Sequence, residues 1–343
     1  YFVEKFLNFV KTFLETFLEK FLHFVEKFLE KFLYFVETIF AKFLYFVETM
    51  SVAELSALLA QKAGEVVVFD ASLPPVVPGY ESLNSNEPDA EWRIIPGARR
   101  FDYDGRLCDP DAVLPHMMPS AALFEQEVRS LGLSKESLVV VYDDVGVYAS
   151  PRGWWMLKAM GHDNVAVLDG GLRAWIDAGN ATDLAGAEWR AGKQNSGGAY
   201  PQGDFVAAPR PEAFVDSAAV AEALSDPSCR VLDARSTARF NAQAPEPRPG
   251  VRGGHMPGSL SFPFPTVLSG QKMKSALELA LLFSPHVQRD QRVITSCGSG
   301  LTACVVILGA ALAGFSRLSV YDGSWAVWGA DHALPVVEGP DIG

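Results

Sequence analysis

The chain has 343 residues, enough for two domains of ordinary size, and a net charge of −12 with no basic cluster. That balance argues against nucleic acid and anionic membrane as partners. Four cysteines, at 108, 229, 297 and 304, form no CxxC pair and have no histidine at zinc-finger spacing, which fits free thiols in a reducing, cytoplasmic compartment. Two runs of 18 or more residues, 253–271 and 293–316, carry no charge, but Gly and Ser interrupt both and Pro the first, so a membrane span is not expected.

Residues 1–49 stand apart as an amphipathic 11-residue repeat, with repeats opening at Phe2, Phe13, Phe24, Phe35 and Phe46. Eleven residues over three turns is about 3.67 per turn, which keeps the Phe-Leu and Phe-Val pairs on one helical face. This segment holds 13 of the 23 phenylalanines, beside six lysines and seven glutamates. Three readings compete for it: a helix for a membrane surface or partner helix, an oligomerising coil, and repetitive DNA translated upstream of the true start. The even charge balance weakens the first, and phenylalanine is an unusual seam residue for the second. Tyr1 is not a start residue and Met50-Ser51-Val52-Ala53-Glu54 reads as a natural beginning, so the third is the expectation. Glutamates throughout argue against a signal or transit peptide.

From Ser51 onward strand and helix signals alternate. The spacing predicts a helix over Ser51–Lys62, with Ser51 as cap and Glu54 three residues on. A buried strand Val66–Phe69 ends at Asp70, and Ile94-Ile95-Pro96-Gly97-Ala98 follows a Pro- and Asn-rich loop. Ala121–Leu131 reads as helix, Leu138–Tyr142 as strand, Arg152–Met160 as helix, Val165–Leu168 as strand and Leu172–Ala178 as helix. This is an α/β pattern with a mostly parallel sheet.

The pattern then repeats. Phe69-Asp70-Ala71 returns as Leu232-Asp233-Ala234, Ile94–Ala98 as His255–Ser259, Val141-Tyr142-Asp143 as Thr295-Ser296-Cys297, and Leu168–Gly171 as Tyr321–Ser324. The offsets of 163, 161, 154 and 153 imply a duplicated domain. The expected organisation is a repeat extension (1–49), a first domain (50–180), a linker rich in Gly, Pro, Ser and Ala (181–211), and a second domain (212–343).

In the second copy, Val293–Ser296 reads as the end of a buried strand, Cys297-Gly298-Ser299-Gly300 as a tight turn, and Leu301–Ala313 as an apolar helix. A cysteine at the mouth of a helix meets unpaired N–H groups and a positive dipole end. Thiols in such settings ionise more readily and act as nucleophiles at neutral pH. A buried structural cysteine before a helix has the same pattern, and composition does not separate the two.

The run Cys297-Gly298-Ser299-Gly300-Leu301-Thr302-Ala303 resembles the active-site loop of the 3-mercaptopyruvate sulfurtransferases, members of the rhodanese superfamily, and the likeness extends from about Ser51 to the C-terminus. The resemblance implies two tandem rhodanese-like domains, each a mostly parallel sheet flanked by helices. Asp143 stands where the second copy has Cys297, and a carboxylate cannot carry sulfane sulfur, so the first domain is expected to be non-catalytic.

By the same resemblance, Arg239 and Arg248 grip the carboxylate of mercaptopyruvate; the bland alternative is a pair of solvated loop arginines. Arg252 lies close by. Gly298, Gly300, Leu301 and Thr302 are assigned with the loop to substrate binding. Asp104, His116 and Ser299 are implied as a proton relay, against a reading in which Asp104 and His116 only cap loops. His255 and Cys304 read as structural. Small neutral residues after Cys297 suit a keto acid better than thiosulfate, and Ala303 stands where phosphatases of this fold need arginine. The expectation is transfer of sulfur from 3-mercaptopyruvate through a Cys297 persulfide to a thiol such as thioredoxin, or to cyanide, with no metal or organic cofactor. A thiosulfate sulfurtransferase and a non-catalytic persulfide carrier are the rivals.

Overall fold

The structure is a computed structural model, and it describes residues 11, 17, 18, 20, 21, 23, 25, 27, 48–62, 65–84, 91–190 and 200–340. The expected repeat helix over residues 1–49 lies almost wholly outside them. The eight described residues before Glu48 are helical, and Phe17, Leu18 and Phe21 are more than half exposed. From Glu48 the chain forms its own compact unit.

Seven strands come from the first copy: β1 (Thr49–Met50), β2 (Val66–Asp70), β3 (Trp92–Ile94), β4 (Arg99–Arg100), β5 (Leu138–Tyr142), β6 (Val165–Leu168) and β7 (Asp183–Ala185). Five of them make a parallel sheet in the order β1-β6-β5-β2-β4. The second copy supplies β8 (Phe214–Val215), β9 (Cys229–Asp233), β10 (Leu260–Ser261), β11 (Leu268–Ser269), β12 (Lys272–Met273), β13 (Arg292–Ser296) and β14 (Leu318–Tyr321). Its parallel sheet runs β10-β9-β13-β14-β8, the same winding as the first. The strands read as unbroken apolar runs because helices cover both faces; β2 and β6 are buried along their whole length.

Helix boundaries follow the local chemistry. Val52–Lys62 opens with the expected cap, Ser51 and Glu54 bonding reciprocally at 2.8 and 3.3 Å. Ser150–Ala159 starts two residues ahead of the expected Arg152, with Pro151 in its first turn. The helix Ala303–Leu312 is buried on every side through Ala310, because it lies within a single apolar core that joins residues of both domains.

Two segments differ from expectation. The sheet contacts of the first domain begin at Glu48, ahead of Met50. Thr49 pairs with Val167, the Glu48 carbonyl accepts from Val167 N at 2.9 Å, and its carboxylate takes the Trp154 indole N–H at 3.0 Å and Lys158 Nζ at 2.8 Å. The Gly- and Pro-rich stretch 181–211 also carries structure. β7 pairs antiparallel with β3, and Trp189 in the short helix Ala187–Arg190 donates to the buried Asp70 Oδ2 at 2.7 Å. Phe205 is buried while its amide bonds Leu133 O at 3.2 Å.

Candidate active site

Cys297 stands at the carboxyl end of β13, the central strand of its sheet, where ligands of open α/β folds gather. The residue is 2% exposed, whereas Gly298 and Ser299 after it are half-buried. The turn is pinned from several sides. Thr295 Oγ1 donates to Ala303 O at 3.1 Å, Trp325 N to Cys297 O at 2.9 Å and Ala326 N to Gly298 O at 3.0 Å. Cys297 N donates to Ser324 Oγ at 3.1 Å, and Ser324 itself holds a left-handed φ of 49°. A strained non-glycine backbone of this kind is enriched at functional sites.

The first domain shows what this turn is built to hold. There the Asp143 carboxylate fills the loop: Oδ1 accepts from the amides of Val145 and Gly146, and Oδ2 from Tyr148, Ala149, Ser150 and the Ser150 hydroxyl, all within 3.0 Å. The copies match in detail, since Leu172 N donates to Asp143 O at the same 2.9 Å as Trp325 N to Cys297 O. Shifted by the offset of 154, four of the five amides become those of Ser299, Gly300, Thr302 and Ala303, and among the described residues none of these has an acceptor. A turn that gathers an anion in one copy presents the corresponding amides beside a sulfur in the other.

Leu301 and Thr302 are buried, and Leu301 joins the shared core, so they serve the loop through its backbone rather than by side-chain contact. Gly300 has φ +77°, and a Cβ there would lie 2.9 Å from both Arg152 Nη1 and Asp322 O. Cys304 Sγ donates to Gly300 O at 3.3 Å; burial pushes this thiol up to about 12, so it stays neutral and packed.

Arg239 reaches the loop: a Cβ on Gly298 would be 3.2 Å from its Nη2. Its guanidinium is steered by Glu246, with Nε to Oε1 at 3.1 Å and Nη2 to Oε2 at 2.5 Å. Glu246 is in turn held by the buried Arg235 at 2.8 Å, which is clamped to Asp233. Arg248 lines a neighbouring hollow of about 620 Å³ with Glu246 and Glu338. Arg252 is committed elsewhere, donating to the carbonyls of Trp328, Gly329, Asp331 and Leu334. His255 stacks on Phe240 at 3.7 Å with Nδ1 3.0 Å from Phe240 O, a packing role.

His116 Nδ1 lies 2.9 Å from Asp104 Oδ1, and His116 has the left-handed φ of 66°. The His116 contact holds the Asp104 carboxyl below its ordinary range against the opposing effect of burial, with the charges of Arg100 in the same domain and Arg248 in the second adding to it. Ser299 makes no hydrogen bond to His116, so only the first link of the expected relay is formed. Tyr148 of the first domain, with Tyr80 and Phe264 at ring separations of 5.0–6.0 Å, adds an aromatic wall drawn from both domains. Burial raises the Tyr148 hydroxyl to about 12, with Cys297 among the lesser causes.

Three residues of this site escaped the sequence reading: Glu246, Ser324 and Arg152. Arg152 belongs to the first domain, has no exposed surface, and bonds Gly300 O at 3.2 Å and Asp322 Oδ1 at 2.6 Å in the second. The proline-led helix start Ser150-Pro151-Arg152 was the available signal, but nothing in it names partners some 150–170 residues away.

Comparison with known proteins agrees with this geometry. The rhodanese family, described as the rhodanese-like domain, matches residues 51–178 and again 216–331. The 3-mercaptopyruvate sulfurtransferase of Escherichia coli K12 is 38% identical over 273 residues, covering 79% of this chain and 92% of its own. The human protein of that name is 37% identical over 284 residues, covering 79% and 88%. The crystal structure of SseA from Escherichia coli, described as a 3-mercaptopyruvate sulfotransferase, superposes with a TM-score of 0.65 and 31% identity over 81% of this chain and 99% of that one. With two matched domains in tandem, a cysteine loop in the second and relatives of this identity over most of their length, the chain belongs to the 3-mercaptopyruvate sulfurtransferase family of two-domain rhodaneses.

Proposed function

We propose that this enzyme moves sulfur from 3-mercaptopyruvate through a persulfide on Cys297. The observation that carries the reading is the pair of matched loops: the amides that hold a carboxylate in the first domain have their counterparts around the Cys297 turn in the second. The Cys297 thiolate attacks the substrate's sulfur. As the S–S bond forms, the C–S bond breaks and its electron pair leaves as the enolate of pyruvate. The proton that the substrate sulfur carried is delivered to the enolate carbon, so Cys-S⁻ and mercaptopyruvate become Cys-S-S⁻ and pyruvate. Asp104, His116 and Ser299 are the groups that handle this proton, and Arg239 and Arg248 hold the substrate carboxylate. Gly298, Gly300, Leu301 and Thr302 frame the loop, whose amides stabilise the outer sulfur.

An acceptor thiolate, such as that of thioredoxin, or cyanide then attacks the outer sulfur and frees Cys297. All four cysteines are free, and among the described residues no helix is long and apolar enough to cross a membrane, which supports a reducing, cytoplasmic setting. Thiosulfate is the second donor to consider, because a relative from Arabidopsis thaliana, 36% identical over 287 residues, is named a thiosulfate/3-mercaptopyruvate sulfurtransferase.

The test is mass spectrometry of the protein after mercaptopyruvate, with pyruvate release followed in parallel. Wild type is expected to gain one sulfur atom on the peptide bearing Cys297 and to turn over mercaptopyruvate faster than thiosulfate with one common acceptor. Cys297→Ser is expected to gain none and release no pyruvate; sulfur transfer persisting in a folded Cys297→Ser protein would sink the mechanism.

A further inference from the structure

The guanidinium of Arg152 ties together three loops. It rises from the first turn of helix Ser150–Ala159 in the first domain and is wholly buried. Nη1 donates to Gly300 O, in the sulfur loop, at 3.2 Å. Nη2 donates to Asp322 Oδ1 at 2.6 Å and to the carbonyl of His116. Its face lies 4.5 Å from the Phe214 ring centroid. Asp322 is fixed from the far side by Met118 N, at 2.9 Å from Oδ2, so it bridges Arg152 to the segment just after His116.

A buried charge of this kind is tolerated only while its partners are all in place. Here the partners are the peptide between Gly300 and Leu301, the backbone of the histidine paired with Asp104, and the turn that follows β14. The His116 contact matters most. A left-handed non-glycine conformation persists only where its surroundings over-determine it, and Arg152 and Asp322 grip the chain at that residue's carbonyl and at the amide two residues on. Gly300, likewise left-handed, leaves the space that Arg152 Nη1 occupies.

We propose that Arg152 is a positioning residue for sulfur transfer: it holds the backbone of His116 and the Gly300 peptide in one register across the domain interface. The backbone that carries the histidine and the sulfur loop are then kept at a fixed separation. The proposal rests on the reading of Cys297 as the sulfur carrier and of His116 as a proton-handling group. A group placed about an ångström out of position can cost about 100-fold in rate, so a residue that touches neither sulfur nor substrate can still govern turnover.

The experiment uses the full chain carrying Arg152→Lys, with Asp322→Asn as a second route to the same contact and Cys297→Ser alongside. Arg152→Lys keeps a positive charge but loses the planar fork that serves three acceptors at once. The expected result is a kcat on mercaptopyruvate reduced by about 10- to 100-fold, a KM within about threefold of wild type, and little change in thermal melting. A double-mutant cycle gives the decisive reading: Arg152→Lys added to His116→Ala should cost no more than His116→Ala alone. Multiplying losses, or a wild-type kcat in Arg152→Lys, would overturn the proposal. Should Arg152→Lys fail to fold, Asp322→Asn is read by the same criteria. The outcomes also separate the two levels of inference. Turnover in Cys297→Ser would defeat the sulfur-carrier reading, whereas an inactive Cys297→Ser beside a fully active Arg152→Lys would defeat only the positioning role.

Discussion

The anchoring of Glu48 gives a prediction about where the folded enzyme begins. Compare a chain opening at Met50 with one opening at Glu48 behind an initiating methionine. The shorter chain loses three things: the acceptor for the Trp154 indole at 3.0 Å, the ion pair to Lys158 at 2.8 Å, and the ladder bond from Val167 N to the Glu48 carbonyl at 2.9 Å. Trp154 is fully buried, so stranding its N–H costs about 1–3 kcal/mol. The ladder bond is worth about 1 kcal/mol. The Lys158 pair adds little, because the lysine can turn towards solvent. Together these come to about 3 kcal/mol, or about 6–12 °C in melting temperature at 2–4 °C per kcal/mol. Thermal melts by circular dichroism on the two chains, and on Glu48→Ala and Glu48→Gln in the longer one, test this. Glu48→Gln keeps a carbonyl for the indole and should fall between. Removing residues 1–47 alone should leave both melting and mercaptopyruvate activity per site unchanged. If the chains opening at Glu48 and Met50 melt within about 1–2 °C of each other, the Glu48 contacts carry no weight and the reasoning fails.

Gly300→Ala forces a Cβ onto Arg152 Nη1 and Asp322 O at φ +77°, a backbone cost of about 1–2 kcal/mol before any hydrogen bond is lost. Its kcat/KM on mercaptopyruvate should fall more than about tenfold, whereas Gly298→Ala meets only the tip of Arg239 and should be milder; the reverse order would contradict the geometry. Arg239→Ala and Arg248→Ala should each weaken mercaptopyruvate use by about 1.5–3 kcal/mol and thiosulfate use by less, and equal losses on both donors would show that these arginines hold the loop instead. Burial pushes the Asp144 carboxyl up to about 7, above its unfolded value, so its stabilising contribution is fully present below about pH 4 and is lost as pH rises through about 7. Asp144→Asn should flatten that decline in urea unfolding between about pH 4 and 7; an unchanged slope would show that Asp144 is not its source.

The features legible in sequence are those whose signal is local. Apolar runs such as Val66–Phe69 and Leu138–Tyr142 have no meaning except as strands covered on both faces, and the returning motifs made the duplicated sheet readable before its strand order was known. The Cys297 turn was visible for the same reason, being a strand end, two glycines and a helix within a few residues. What escaped depends on partners far away in the chain. Arg152 looks like any arginine near a helix start until Gly300 and Asp322 are brought to it. Glu246 lies two residues before Arg248 and carries no local signal, yet its work is to hold Arg235 and Arg239. Trp189 sits in a stretch whose composition reads as linker, and one buried indole outweighs that composition. Glu48 was counted with the repeat because it continues the repeat's Glu spacing.

The filled loop of the first domain is sealed by its own burial. Residues 141–150 are buried without a break, and Asp143 serves five amides and a hydroxyl inside that closed space. In the second copy the corresponding amides border half-exposed Gly298 and Ser299, where solvent can serve them. Replacing Asp143 with cysteine would strand its donors where water has no path, at about 1–3 kcal/mol each. A single substitution would therefore not give the first copy a working sulfur site; its loop would first have to open to solvent. Burial, more than the identity of one residue, is what sets the two halves apart.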